Sequence, residues 1–585
     1  AVHCNSFSFS SIAAVIFIIK SPRTHFTTTP PEAIKEISIY LKNPIANESD
    51  YRYDYVILTQ QVKPTMIILK PLPLAIALAI STPAIADSQN RNTKTFTLDK
   101  RTVAATLTEQ SLEDVANTVS IIDDEQIERQ GATDIRDMVR YTPGVEVGSD
   151  GRFGLSGFTI RGMDDNRVKI ILDGVQQAKS FSPGGDFQQI NRNTVDIETL
   201  KKVEIVKGPA STLYGSDALG GVVSFTTKDA DDFLNEQGDD SHIGLKAGYF
   251  SKDEQQSTTL NLANRTGNLD SLLIYTHRTS EEQESQGNVS GTGEDRTKSN
   301  PADNKSDNLL AKLGFQLNDQ HRIELVGEYL KSEVEIQQLS KDETTNFGAF
   351  GFPFAADDFL SYHNSAATDE YKRTRIGFEH QWQADNALFD DLQWSLNWQK
   401  TQSNQVTSEE VDASPNIQAM FHVNPGSRVK DYSHEEKSIQ LQAQFNKASG
   451  IHNLTYGFKY EDAETENTTL EFVNNLPTAS GRYIPVVDAK NYGLFIQDQI
   501  SLWDDQLVLT PGLRYDSFDY QANTDSLWDE PLKDHDSSKV SVKLGGVYKF
   551  NKTFSGFAQY SEGFKAPNVR ELYYTRDGGT YLTLP

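Results

Sequence analysis

The chain has 585 residues and a formal net charge of −27, with 23% charged and 10% aromatic residues; this composition excludes a low-complexity or wholly disordered polypeptide. The acidic balance argues against nucleic acid as a partner. No stretch after residue 90 approaches about twenty consecutive apolar residues, so a helical span there is excluded, while a barrel, whose strands need only about ten residues of alternating polarity, is not.

The first methionine is Met66. From there to Ala86 the chain shows a short positive start at Lys70, an apolar centre and an Ala-x-Ala end, the pattern of a secretory signal peptide, with cleavage expected after Ala86. Pro71, Pro73 and Pro83 would break a buried helix over the same residues. Residues 1–65 are then expected to be a non-native upstream extension, with the apolar run Ile12–Ile19 as the alternative targeting segment. Cys4, the only cysteine, falls in this stretch, so no disulfide or thiol chemistry is expected downstream.

Residues 87–110 are polar and read as an extended linker. Residues 111–231 read as a compact α/β segment punctuated by glycine. Thr133 is expected to cap a short helix carrying Ile135, Met138 and Val139, ended by Pro143-Gly144. Short buried strands follow at Phe158–Ile160, Val168–Leu172, Val203–Lys207 and Val222–Phe225, each running into or out of a glycine that permits a tight turn.

From residue 240 to 585 strands alternate with loops. Leu392, Trp394, Leu396 and Trp398 alternate with Gln393, Ser395, Asn397 and Gln399; Ile439, Leu441, Ala443 and Phe445 alternate with glutamines; Val540, Val542 and Leu544 alternate with Ser541 and Lys543. Period two with one apolar face predicts strands between unlike surroundings. A soluble sandwich would share that alternation. The connections favour a membrane barrel: tight turns near 318–319, 384–389, 447–450, 503–505 and 551–552 take turns with long polar loops over 280–305, 334–369, 404–432, 464–487 and 521–537. Tyr329, Trp382, Trp398, Tyr515 and Tyr548 suit aromatic girdles. The count is about thirteen strands between 242 and 563, an odd number that cannot close a ring in lipid, so further strands are expected beyond residue 585.

Four blocks of the glycine-rich segment, in order, are Tyr141-Thr-Pro-Gly-Val, Ile160-Arg161-Gly162, Leu172-Asp173-Gly174-Val175 and Lys207-Gly208-Pro209 running through Leu213-Tyr214-Gly215 to Gly220-Gly221-Val. They resemble the plug domain of TonB-dependent outer-membrane receptors, over residues from about 96 to 585. The resemblance implies a β-barrel membrane protein: a small α/β plug (111–231) inside an antiparallel 22-stranded transmembrane barrel (240–585), about thirteen strands of which are present. It implies a monomer in the outer membrane of a Gram-negative bacterium, with outer-membrane lipid around it and TonB, the inner-membrane energy transducer, as partner. Thr102, Val103, Ala104, Ala105 and Thr106 sit where the family carries its TonB box, an unfolded β-prone stretch able to add itself to a partner sheet. The plug blocks are expected to be structural, with Arg161 and Asp173 as candidates for plug-to-wall salt bridges; solvated charges at turns are the alternative for each.

Near the end, Phe564-Lys565-Ala566-Pro567 followed by Glu571-Leu572-Tyr573 resembles the Phe-Arg-Ala-Pro box of haem receptors. That points to haem, free or taken from haemoproteins, as transported ligand rather than resident cofactor; a ferric siderophore on the same scaffold is the alternative, and a passive porin or adhesin would need no plug. Haem iron takes axial His or Tyr. The plug carries no histidine, which departs from the haem pattern, and leaves His363, His422, His434 and Tyr573 as axial candidates, beside His535 and Tyr574. No enzymatic constellation is present: neither His-x-x-x-His nor Gly-x-Ser-x-Gly occurs, and no metal site is expected.

Overall fold

A computed structural model of the chain describes residues 101–575 except 184–187, 191, 193–194, 352, 385, 529–530 and 552–553, together with two strands, Glu36–Ile39 and Asp54–Gln60. The signal peptide read at 66–86, Cys4 and most of the span read as an upstream extension lie outside the described residues. Within that span the two strands pair with each other, and Asp54–Gln60 also runs antiparallel along the first barrel strand.

Thirteen long strands form one antiparallel meander, each hydrogen-bonded to the next. They are β1 (Asp240–Phe250), β2 (Gln255–Thr266), β3 (Leu269–Ser280), β4 (Ala302–Asn318), β5 (His321–Gln337), β6 (Phe359–Gln383), β7 (Asp391–Ala413), β8 (Gly426–Ser449), β9 (His452–Val473), β10 (Val486–Leu502), β11 (Leu507–Asn523), β12 (His535–Lys549) and β13 (Ser555–Ser561). Each overlaps one of the strands read from the alternation. At the far rim two small hairpin strands, Thr344–Asn346 and Leu476–Gly481, extend the connections after β5 and β9.

The faces of the sheet decide between sandwich and membrane barrel. On β7, Leu396 is 45% exposed, whereas its neighbours Ser395 and Asn397 are 5% and 2% exposed. Ile376, Ile439, Leu494, Leu513 and Leu544 likewise point outward. Polar side chains fill the interior and aliphatic ones the outside, the inverse of a soluble core and the arrangement hydrocarbon requires. Tyr329, Trp398 and Tyr515 close this band on the long-loop side. Above them the same outward faces turn charged: Lys331 pairs with Glu333 and Glu370 at 2.7 and 3.1 Å, and Lys400 and Lys437 pair with Glu435 at 3.1 and 2.8 Å. Trp382 and Tyr548 mark the short-turn side, packed on Phe389 and Phe550.

The long polar loops read at 334–369, 404–432 and 464–487 are in large part strand. β6 begins at Phe359, β7 runs to Ala413, and β8 starts at Gly426. These hairpins stand above the apolar band, where both faces meet water or protein and the alternation that identifies a strand is lost.

Inside the barrel, residues 118–227 build a five-stranded sheet in the order 118–123, 200–207, 221–227, 168–172, 175–176, with one parallel pairing, between 168–172 and 221–227. Its core joins Ile122, Met138, Phe158, Ile160, Ile170, Leu200, Val203, Ile205, Val223 and Phe225, all nearly inaccessible. Two of the motif blocks are two-residue hairpin turns. Arg161 and Gly162 have φ of 50° and 80°, and Ile160 and Met163 exchange backbone hydrogen bonds of 2.8 and 3.0 Å across them. Asp173 and Gly174 have φ of 47° and 80° between the paired Leu172 and Val175. Both central residues left-handed is the geometry whose twist matches the flanking strands. The helix Ile135–Val139 carries its apolar residues as read, but its cap is Asp134, which accepts from Arg136 N and Asp137 N, while Thr133 Oγ1 donates to Asp137 at 2.8 Å. An aspartate one residue nearer the helix outcompetes the threonine as acceptor.

Candidate functional site

The plug meets the wall mainly through its own carboxylates and the wall's cations. Glu198 pairs with Lys246 at 3.0 Å, Asp134 and Asp137 with Lys252 at 3.2 and 3.1 Å, Asp229 with Lys312 at 2.6 Å, and Asp196 with Arg278 at 3.0 Å. Arg152 reverses the polarity, gripping Asp369 at 2.6 and 2.8 Å. Asp173, one of the two expected bridge residues, is central. Its carboxylate accepts from Thr227 N at 2.8 Å, Thr227 Oγ1 at 2.9 Å and Arg375 Nη2 at 2.7 Å. Burial alone would raise its pKa, but Lys312, Arg375 and the Thr227 amide outweigh it and hold the group at about 2. Arg161, the other, forms no ion pair among the described residues; its aliphatic stem lies against Gly144 instead.

The remaining motif residues bring the plug close to itself and to the wall. Gly208 N donates to Gly220 O at 2.9 Å, closing the loop that starts with Pro209. Within it, Ser211–Tyr214 forms one turn of helix ended by Gly215 (φ 76°). A Cβ at Gly215 would come within 2.9 Å of Asp516 and 3.0 Å of Arg514 on β11.

Residues 102–106 differ from their expectation of an extended, unfolded segment. Arg101–Thr102 pairs with Gln110–Ser111, and the turn between them is tucked under the plug. Thr102, Ala104, Ala105 and Thr106 are buried, and only Val103 is exposed. Glu204 Oε1 accepts from Val103 N at 3.0 Å and Oε2 from Ala104 N at 2.7 Å. Tyr214 OH donates to Ala104 O at 2.7 Å, and Gln497 of the wall donates to Thr106 O at 3.2 Å. Burial pushes the Tyr214 phenol pKa up, keeping it a donor. The partners lie roughly a hundred or more residues downstream, so nothing local announced the burial.

At the opposite side, the loop after β13 folds inward over the plug. Phe564 N donates to Ser211 Oγ at 3.0 Å and Ala566 N to Ser216 Oγ at 2.8 Å. After Pro567, Asn568 caps the helix Val569–Tyr573 in a reciprocal box with Glu571, which also pairs with Lys565. Leu572 packs with Phe564 and Val569 against Phe518, Tyr520 and Ala566.

The axial candidates have four different surroundings. Tyr573 is 5% exposed, its hydroxyl donates to Lys533 O at 3.2 Å, and burial pushes its pKa to about 12. His363 faces Glu410 at 3.1 Å and Asp412 at 3.7 Å. His434 is buried in the lumen, stacked at 4.6 Å on Phe181 of the plug, and its Nδ1 has no hydrogen-bond partner among the described residues. His422 ends the helix Pro415–Phe421 in left-handed conformation (φ 53°) and is exposed. The preceding Phe421 ring lies 5.5 Å from Phe347 and 6.3 Å from Phe354, and Phe350 is 72% exposed beside them. Asp358 ties the two loops of this aromatic patch together, accepting from Ala355 N at 2.7 Å, Ser414 Oγ at 2.7 Å and Asn416 Nδ2 at 2.6 Å.

A family model described as the TonB-dependent receptor plug domain matches residues 111–222, and one described as the TonB-dependent receptor-like β-barrel matches 335–584; together they cover more than half of the chain. Hemoglobin and hemoglobin-haptoglobin-binding protein C of Haemophilus influenzae is 31% identical over 377 residues, 60% of this chain and 34% of that protein. Hemoglobin-haptoglobin utilization protein B of Neisseria meningitidis is 27% identical over 510 residues, 75% of this chain and 59% of that protein. The matched region thus spans about a third to three-fifths of these curated relatives. Among solved structures, the siderophore receptor PiuA of Acinetobacter baumannii aligns with a TM-score of 0.55 at 16% identity, covering 81% of this chain and 68% of its own. The FrpB iron transporter of Neisseria meningitidis (F3-3 variant) aligns with 0.57 at 17%, covering 79% and 66%; both likenesses concern the fold. With a plug sheet seated in an apolar-out, polar-in barrel and both family models matched in chain order, the chain belongs to the TonB-dependent receptors.

Proposed function

We propose that this chain acts in active uptake of haem, drawn from haemoproteins, across the outer membrane of a Gram-negative bacterium. The long-loop rim then faces outside and the short turns face the periplasm. The observation that carries the uptake reading is the inward-folded loop 561–574: it puts the Phe-Lys-Ala-Pro box on the plug itself, where capture outside can be felt inside. Haem is favoured over a siderophore because the curated relatives quoted above are named for haemoglobin binding. His422 and the Phe347, Phe350, Phe354 and Phe421 rings supply what haem needs at a first stop, an imidazole beside an apolar surface. His434 offers a second imidazole within the lumen.

Titrating the full-length receptor with haemin tests this. A Soret shift is expected, lost or weakened about tenfold in His422→Ala, the factor that about 1.4 kcal/mol of lost ligation gives. A flat response in the wild type would overturn the haem reading in favour of a ferric siderophore. Energy coupling is tested separately. The outer membrane offers no nucleotide energy source, so the reading requires TonB to pull on residues 102–106. Deletion of 96–106 is expected to abolish uptake and spare surface binding; uptake that persists would remove the coupling role.

A further inference from the structure

The lipid-facing side of a barrel is apolar, and an ionisable side chain kept there is costly and calls for a role. Two histidines stand on it. Between the outward Lys331, Lys372 and Lys400 and the short turns, His321 of β5 and His380 of β6 are, with the girdle Tyr329, the only ionisable groups on the outer face of β5, β6 and β7. His321 lies opposite Trp382 and His380 opposite Trp394, so the four rings form one patch at the short-turn end of the apolar band.

The hydrogen bonds of this patch run in one direction. Trp394 Nε1 donates to His380 Nδ1 at 2.8 Å. An indole N–H can only donate, so His380 carries its proton on Nε2. That atom lies 3.1 Å from His321 Nδ1, with the two ring planes 10° apart, which makes the contact an in-plane hydrogen bond. His321 Nδ1 is then the acceptor, and the His321 proton sits on Nε2, across the ring; both tautomers are assigned from this network. No described residue accepts from His321 Nε2. The ring is held in place by Trp382, stacked at 5.2 Å, and by the bond from His321 N to Asn318 Oδ1 at 3.0 Å. The relay therefore ends in a fixed N–H donor at the level of the Trp382 girdle, where hydrocarbon gives way to headgroups.

We propose that His321 Nε2, beside the Trp382 ring, binds the phosphodiester of one inner-leaflet phospholipid, whose acyl chain runs along Leu325, Ile376 and Phe378. An N–H left without an acceptor at membrane depth costs several kcal/mol. The anionic oxygens of a phosphodiester satisfy it with a charge-assisted bond, roughly twice as strong as one to a neutral acceptor. The track for the chain is continuous with the lipid-facing band: Leu325 and Ile376 are both more than half exposed, and Phe378 is the cross-strand partner of Leu325. His380 and Trp394 are positioning residues, which act on the phosphate by keeping the proton of His321 on Nε2. The choice of leaflet rests on the orientation proposed above, with the short turns toward the periplasm.

The full-length receptor, reconstituted with phosphatidylethanolamine and phosphatidylglycerol and extracted in mild detergent, is expected to carry one phospholipid in native mass spectrometry. His321→Phe keeps a ring on Trp382 and removes the donor; it is expected to lower the retained lipid about tenfold, the effect of one hydrogen bond to a charged acceptor. Trp394→Phe is expected to lower it less, and nitrogen-15 histidine spectra of that variant should show the His321 proton divided between Nδ1 and Nε2 instead of held on Nε2. Heat-modifiable migration confirms that each barrel is folded. A wild type that retains no phospholipid, or a His321→Phe variant that retains as much as wild type, overturns the proposal. So does displacement of the lipid by excess inorganic phosphate, which would make this a site for the free anion. The orientation fails on a different result: labelling of Asp319→Cys, in the turn before His321, by a membrane-impermeant reagent on whole cells.

Discussion

Arg375→Met is expected to loosen the plug in its barrel by about 3–5 kcal/mol, the usual cost of removing one partner from a buried ion pair. The Arg375 side chain is fully inaccessible and bridges plug to wall: Nη2 meets Asp173 at 2.7 Å, and Nε lies 2.7 Å from Glu328 Oε2 at an angle too bent for a hydrogen bond. Arg373 still serves Glu328 at 2.9 Å and also donates to Gln177 of the plug at 2.6 Å. The group that loses a direct ion-pair partner is therefore Asp173, which keeps its two Thr227 bonds and the longer-range attraction of Lys312. Vancomycin sensitivity of cells and protease sensitivity of the plug read the loss. Asp173→Asn added to Arg375→Met removes the orphaned charge and is expected to recover at least half of it. Equal sensitivity of the single and double variants would show that the charge is not what holds the plug.

The same group sets a pH window. Its folded pKa of about 2 lies below the ordinary aspartate value of 3.8, so its contribution is fully present above about pH 4 and is lost as pH falls toward 2. Across physiological pH this latch is constant, and release of the plug needs force or displacement rather than protonation of Asp173.

The parts of this molecule legible in sequence are those where two environments differ across one strand. All thirteen strands could be read, because hydrocarbon on one side and a polar lumen on the other force alternation. Leu396 and Trp398 against Asn397 and Gln399 make that plain. Once the hairpins rise above the apolar band the contrast disappears, so the outer halves of β6, β7 and β8 looked like loops. The Asp173-Gly174 turn was readable because two left-handed residues are a local demand. Its bond to Arg375 was foreseen only as a type of contact, since the partner is 202 residues away. For residues 102–106 the failure runs deeper. A short threonine- and alanine-rich stretch has no burial signal of its own; the Glu204 carboxylate and the Tyr214 hydroxyl supply it, and only the folded plug brings them together. Arg161 shows the converse, a charge whose place in a turn motif suggested a bridge but whose backbone role is sufficient.

That last distinction, backbone role against side-chain role, is sharpest at Gly221. Gly221→Ala is expected to unfold the plug while leaving the barrel intact. The residue has φ of 152°, pairs with Lys207 at the start of strand 221–227, and its added Cβ would collide with the Val206 carbonyl oxygen and lie 2.9 Å from Ile160 Cδ1. Backbone strain of about 1–3 kcal/mol and overpacking of about 1–3 kcal/mol act on one position. Neither neighbour can yield, since Val206 O belongs to strand 200–207, which is paired on both sides, and Ile160 is fully buried in the same core as Phe158. Gly151→Ala is the control, because no described residue lies within 4 Å of its added Cβ and its φ is not positive; it is expected to behave as wild type. Limited proteolysis with mass mapping should show cuts within 118–227 for Gly221→Ala alone, with heat-modifiable migration of the barrel retained in both. A protease-resistant plug in Gly221→Ala would mean that strands 200–207 and 221–227 can shift register. The Gly-Gly pair would then be a matter of sequence habit rather than of the close approach described for it.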